Sequence, residues 1–133
     1  MDLDEILETF DALIGAEERY GYLIELGKDL PPLDDALKTE AHRVHGCQSR
    51  VWMVAGTEGD TLRLRADSDA FIVRGLIAIL MAIYDGQTLR DAAQRDPVPV
   101  FAQIGLDQQL SMGRRNGLYS MVQRIQALAG ALG

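Results

Sequence analysis

A chain of 133 residues that is 47% hydrophobic can bury one ordinary core and is short for two, which predicts a single domain over residues 1–133. With a net charge of −7 and basic residues scattered among acids, it lacks the electrostatic footprint of a phosphate-backbone or anionic-membrane binder, so neither nucleic acid nor membrane is an expected partner. Its single cysteine excludes an internal disulfide, and the acidic opening "MDLDEILETF" is unlike a secretory signal, so a reducing, cytoplasmic setting is expected.

In chain order, Leu3, Ile6, Leu7, Phe10, Leu13 and Ile14 recur at helical spacing, with Asp2 and Glu5 placed as a capping box. A second helix is expected over roughly Glu17 to Leu26, ended by Gly27, with "LPPL" from Leu30 forcing an extended corner. A weak extended stretch, Glu40 to Val44, precedes the continuously apolar Val51 to Ala55. After a "GTEGD" turn, Leu62, Leu64 and Ala66 alternate with polar residues. These segments predict a β-hairpin with Glu40 to Val44 as a third strand, since an isolated hairpin is marginal.

Asp67, Ser68 and Asp69 offer capping groups to the apolar helix that follows from Ala70. That segment, "AFIVRGLIAILMAIY", contains Arg74 and falls short of the roughly 20 residues that cross a bilayer, so it reads as a buried helix. Thr88 to Asp91 reads as another helix start. "RDPVPV" breaks the chain before a short helix near Phe101, and a last long helix carries Leu118, Met121, Val122, Ile125 and Leu128 on one face. The class is α+β: a small antiparallel sheet of about three strands with helices on one face.

The lone thiol, Cys47, falls in the loop entering Val51 to Ala55, beside His42, Arg43, His45 and Arg50. An ordinary cysteine, pKa about 8.5, is only about 3% thiolate at pH 7, so its surroundings decide its reactivity. A thiol-dependent hydrolase would pair Cys47 with His42 or His45, although such a histidine normally arrives from elsewhere in the fold with an orienting third group. A metal site would draw on His42, His45 and Cys47, one ligand short of a closed zinc site, so no metal is expected. The remaining reading is a thiol that accepts and passes on a group. That chemistry needs one accessible nucleophile and no bound cofactor.

"VHGCQSRVW" around Cys47 closely resembles the "V-x-GCQS-x-VW" signature of the SufE family of sulfur-acceptor proteins. "LGKDLPPL", "RADSDAFIVRGLIAIL" and "IGLDQQLSMGRRNGLYSMVQRI" resemble three further landmarks in the expected order, spanning nearly the whole chain. The resemblance implies a SufE-like domain with the α+β fold shared by iron-sulfur cluster scaffolds. It also implies that Cys47 takes persulfide sulfur from a pyridoxal-phosphate cysteine desulfurase, SufS-like or related, stimulating its turnover and passing the sulfur to an iron-sulfur scaffold complex.

Other sulfur acceptors, such as a tRNA-thiolation or sulfur-cofactor pathway, are the alternative within the family. A scaffold role is disfavoured because clusters are ordinarily held by several thiolates. The family resemblance further suggests an apolar shelter for the thiol, with Val51 and Trp52 as candidate walls. Gly46, Gln48 and Ser49 are expected to shape the loop. Asp67 and Arg114 match recurring family positions as candidates for the site surroundings or partner surface, against helix capping and a solvated charge respectively. Met112 and Gly113 stand where the family pattern has Pro-Ser, leaving the start of the last helix open.

Overall fold

The computed structural model describes residues 2–133. Helices α1 (Leu3–Ala12) and α2 (Gly15–Asp29) lead through a corner and two short 3-10 turns to strands β1 (Val51–Glu58) and β2 (Thr61–Ser68). Helices α3 (Phe71–Tyr84), α4 (Leu89–Gln94), α5 (Val98–Ile104), α6 (Leu106–Gln109) and α7 (Met112–Leu132) complete the chain. The α+β class holds, and so do the long helices that apolar periodicity predicts. Asp2 caps α1 by accepting the Glu5 N–H at 2.9 Å, and Thr88 caps α4 by accepting the Asp91 N–H at 3.1 Å.

The strands pair antiparallel from Val51 opposite Ser68 to Glu58 opposite Thr61, around a tight turn with Gly59 at φ 62°. Val51, Met53, Leu62, Leu64 and Ala66 are buried beneath α3 and α7, which supply the packing that a two-stranded sheet needs. On the other face Arg63 and Arg65 are exposed.

The expected third strand is absent among the described residues. Glu40–His42 forms a 3-10 turn, and only a single bridge from Arg43 to Trp52 reaches the sheet, with the Val44 N–H donating to the Val51 carbonyl at 2.8 Å. The turn satisfies its backbone locally, through Thr39 and Glu40 carbonyls, and Gly46 at φ 90° then swings the chain away.

Two further expectations are corrected. Gly27 does not end α2; the helix runs on to Asp29 with Gly27 buried inside it. A Cβ at Gly27 would overlap the Phe71 carbonyl oxygen, and one at Gly75 would overlap the Leu23 carbonyl oxygen, so the pair lets α2 and α3 approach backbone to backbone. Nor do Asp67, Ser68 and Asp69 cap α3, whose first turn receives no side-chain cap. Ser68 Oγ accepts the Ala70 N–H at 3.3 Å, whereas Asp69 accepts the Arg50 N–H at 3.0 Å and Asp67 is committed elsewhere.

The close approach makes a prediction whose sign is set by two opposing effects. Gly75→Ala gains about 1 kcal/mol of helix propensity but wedges a methyl against backbone that cannot rotate aside, at about 3 kcal/mol, the upper part of the overpacking range. A net loss of about 2 kcal/mol is expected in chemical denaturation. An unchanged or raised stability would contradict the helix contact.

Candidate functional site

Cys47 lies half-buried in the loop between Gly46 and Ser49, and that loop is bedded along one face of α7. A Cβ at Gly46 would stand 2.6 Å from Ser120 Oγ, and one at Gly117 would stand 3.4 Å from Cys47 Sγ. A Cβ at Gly113 would overlap the Gln48 carboxamide. Gly113, Gly117 and Ser120 follow helical spacing, so they form a shallow bed in which residues 48, 47 and 46 lie in turn. The thiol donates to the Gly117 carbonyl, with Sγ 3.5 Å from the oxygen.

Around the thiol, Val73 and Leu76 of α3, with Leu118 and Met121 of α7, make an apolar cavity closed by Gln48, Ser49, Gly113 and Arg114. Its volume is about 10 Å³, at or below what one water requires. Roomier clefts of about 230 and 340 Å³ flank the corner at Leu30 and Pro31, but they contain no nucleophile. Burial pushes the Cys47 thiol up, and the positive charge of Arg43 opposes this only partly.

Gly46, Gln48 and Ser49 flank Cys47 in the loop, and Gln48, Ser49 and Arg114 line its cavity. Arg114 is half-buried and lines the cavity that holds the thiol, and its Nη1 is buried without a hydrogen-bond partner among the described residues. The Ser111 hydroxyl caps α7 through the Arg114 N–H at 3.3 Å, which fixes the start of that helix without the expected proline.

Asp67 is not brought to the thiol. Buried to 1% exposure, it accepts the Leu33 N–H at 3.0 Å and the Ser68 N–H at 2.8 Å, pairs with Arg74, and lies 3.4 Å from Lys38 Nζ.

Val51 and Trp52 are not cavity walls. Val51 points into the core, and the Trp52 ring lies under Lys38 Nζ, 5.5 Å from its centroid. The histidines turn elsewhere as well. His42 Nδ1 is 2.7 Å from the Leu37 carbonyl, His45 Nε2 is 2.8 Å from Glu40, and neither lines the cavity. Among the described residues no cluster of three or more His, Cys, Asp or Glu side chains is placed to hold a metal. The sequence reading missed Val73, Leu76, Gly113, Gly117, Leu118 and Met121 as surroundings of the thiol. The available signal was the i, i+4 spacing of Gly113 and Gly117 on a helix otherwise rich in larger side chains.

Among the described residues no helix is long and apolar enough to cross a membrane. The model of the SufE family, described as an Fe-S metabolism associated domain, matches residues 4–129. An uncharacterized SufE-like protein from Rhizobium etli is 46% identical over 128 residues, covering 93% of this chain and 86% of that protein. A second, from Rhizobium meliloti, is 43% identical over 131 residues, covering 96% and 94%. The solution structure of a hypothetical protein from Thermus thermophilus matches with a TM-score of 0.78 at 26% identity, over 98% of this chain and 94% of that one. With the family model matching residues 4–129 and two SufE-like relatives 46% and 43% identical over more than nine-tenths of the chain, the chain belongs to the SufE family.

Proposed function

We propose that this chain is a one-domain sulfur carrier that works with a pyridoxal-phosphate cysteine desulfurase in the reducing cytoplasm and supplies iron-sulfur cluster assembly. The Cys47 thiolate attacks the terminal sulfur of the desulfurase persulfide. A new S–S bond forms on Cys47, the old one breaks, and the desulfurase cysteine leaves as a thiolate. Clearing the persulfide frees the desulfurase for another turnover, which is how the carrier stimulates it. The next acceptor thiol takes the sulfur by the same exchange at unchanged oxidation state.

The observation that carries this reading is the position of Cys47: the chain's one thiol, half-buried on a loop beside an apolar cavity. The apolar lining of Val73, Leu76, Leu118 and Met121 limits water's access to the sulfur, and Arg43 is the cation whose charge favours a sulfur anion there. The orientation of His42 and His45 away from the thiol speaks against the hydrolase reading.

The test is the mass of the protein after incubation with an active desulfurase and free cysteine. One added sulfur, about 32 Da and removable by a thiol reductant, is expected. No addition while the desulfurase turns over would reject the proposal.

A further inference from the structure

Three residues of the loop rest on α7, and they differ in what they present to it. Gly46 and Cys47 offer backbone and a short side chain, whereas Gln48 lays a long carboxamide across the first turn. A Cβ at Gly113 would overlap the Gln48 amide nitrogen and stand 2.5 Å from Cδ and 2.9 Å from Oε1. The seat is one of shape: the carboxamide occupies the volume that any other residue at 113 would fill with its own side chain. Both Gln48 and Gly113 line the cavity that holds Cys47 Sγ, so lifting the carboxamide removes one wall of that cavity.

We propose that Gln48 is the latch of the Cys47 loop, its carboxamide seated on the bare turn at Gly113 and holding the thiol in its half-buried position. Gln48 acts here as a positioning residue, through Cys47 and not on sulfur itself. The geometry assigns Gly113 a matching role: it is the keeper that receives the latch. Gly46, at φ 90°, supplies backbone freedom for the loop to lift once the carboxamide is displaced. Burial is what pushes the Cys47 thiol up, so a raised loop both exposes the sulfur and returns it toward ordinary acidity. The inference deepens the sulfur-carrier reading, which needs the thiol to reach another protein, but its test requires no desulfurase.

That test is the rate of Cys47 alkylation by iodoacetamide at neutral pH, followed by mass. It compares the free protein with Gly113→Ser, Gln48→Ala and the double variant, each checked for cooperative thermal unfolding. If one contact joins the two residues, each single change should speed alkylation about threefold or more, and the double variant should be no faster than the faster single, because a contact is lost only once. Unchanged rates in both singles would overturn the latch. So would effects that multiply in the double variant, since Gly113→Ser would then act without Gln48. Should Gly113→Ser not fold, Gly113→Ala adds the bare methyl with a favourable helix propensity and enters the same cycle. Failure of the wild-type protein to accept sulfur would reject the carrier reading and leave these rates unaltered.

Discussion

Cys47→Ser should carry no labile sulfur after incubation with an active desulfurase and cysteine, under conditions that load the wild-type protein. The loss is expected to be complete because the chain has no second thiol, and a serine hydroxyl is essentially un-ionised at neutral pH and a poor nucleophile toward sulfane sulfur. Stability is expected to change by no more than about 1 kcal/mol. Sγ makes one long hydrogen bond, 3.5 Å to the Gly117 carbonyl, and the site is only half-buried, so a hydroxyl finds either that carbonyl or water. Stimulation of the desulfurase should disappear with the sulfur. Labile sulfur retained by a folded serine variant would place the acceptor outside this loop, whereas loss of folding would show that the thiol is a packing element.

The four stretches that carry the family resemblance meet in two pairs in the fold. "GCQS" rests on "MGRRNGLYS": Gly46 on Ser120, Cys47 on Gly117, Gln48 on Gly113. "LGKDLPP" meets "RADSDAFIVRG": Arg74 Nε donates to the Gly27 carbonyl at 2.8 Å and Arg74 Nη2 to the Leu30 carbonyl at 2.6 Å, while Asp67 pairs with Arg74. The first pair carries the thiol, with Val73 and Leu76 from the third stretch completing its cavity, and the second pair fixes the scaffold. This division separates Asp67 from Arg114, two residues that the sequence presents as equivalent candidates.

Local patterns were legible where local physics decides them. Apolar periodicity marked the helices, alternation marked β2, and Asp2 and Thr88 marked helix starts. The misreadings arose where distant chain decides. Gly27 looks like a helix stop until α3 is seen to press on it, and Glu40 to Val44 looks like a strand until Gly46 turns the loop onto α7. The cavity walls were illegible for the same reason. Val73, Leu76 and Met121 are ordinary core residues in their own helices, and only the crossing of α3 with α7 at the loop gives them a shared task.

Asp67→Ala should be the most damaging single change in the scaffold, costing about 3–5 kcal/mol, the loss typical when one partner of a buried ion pair is removed. The carboxylate is 1% exposed, and its loss would strand the partly buried Arg74 guanidinium and leave the Leu33 and Ser68 N–H groups without an acceptor. It would also release the corner at Leu30–Leu33, which Arg74 and Asp67 together tie to α3 and β2. Burial alone would push the Asp67 carboxyl up. The N–H donors of Leu33 and Ser68, with the positive charges of Arg74 and Lys38, overcome that and hold it below the usual carboxylate range. Its stabilisation is therefore complete above the unfolded carboxyl's pKa of about 3.9 and is lost as the pH falls through the lower folded value. Asp67→Asn keeps the shape but not the charge, and it turns an NH2 toward groups that can only donate. Denaturant unfolding of both proteins across pH should show a wild-type advantage that is level from about pH 7 to 5 and shrinks in the acid range below about pH 4. A difference that persists undiminished under acid would mean that packing, not the ionised carboxylate, is what Asp67 contributes.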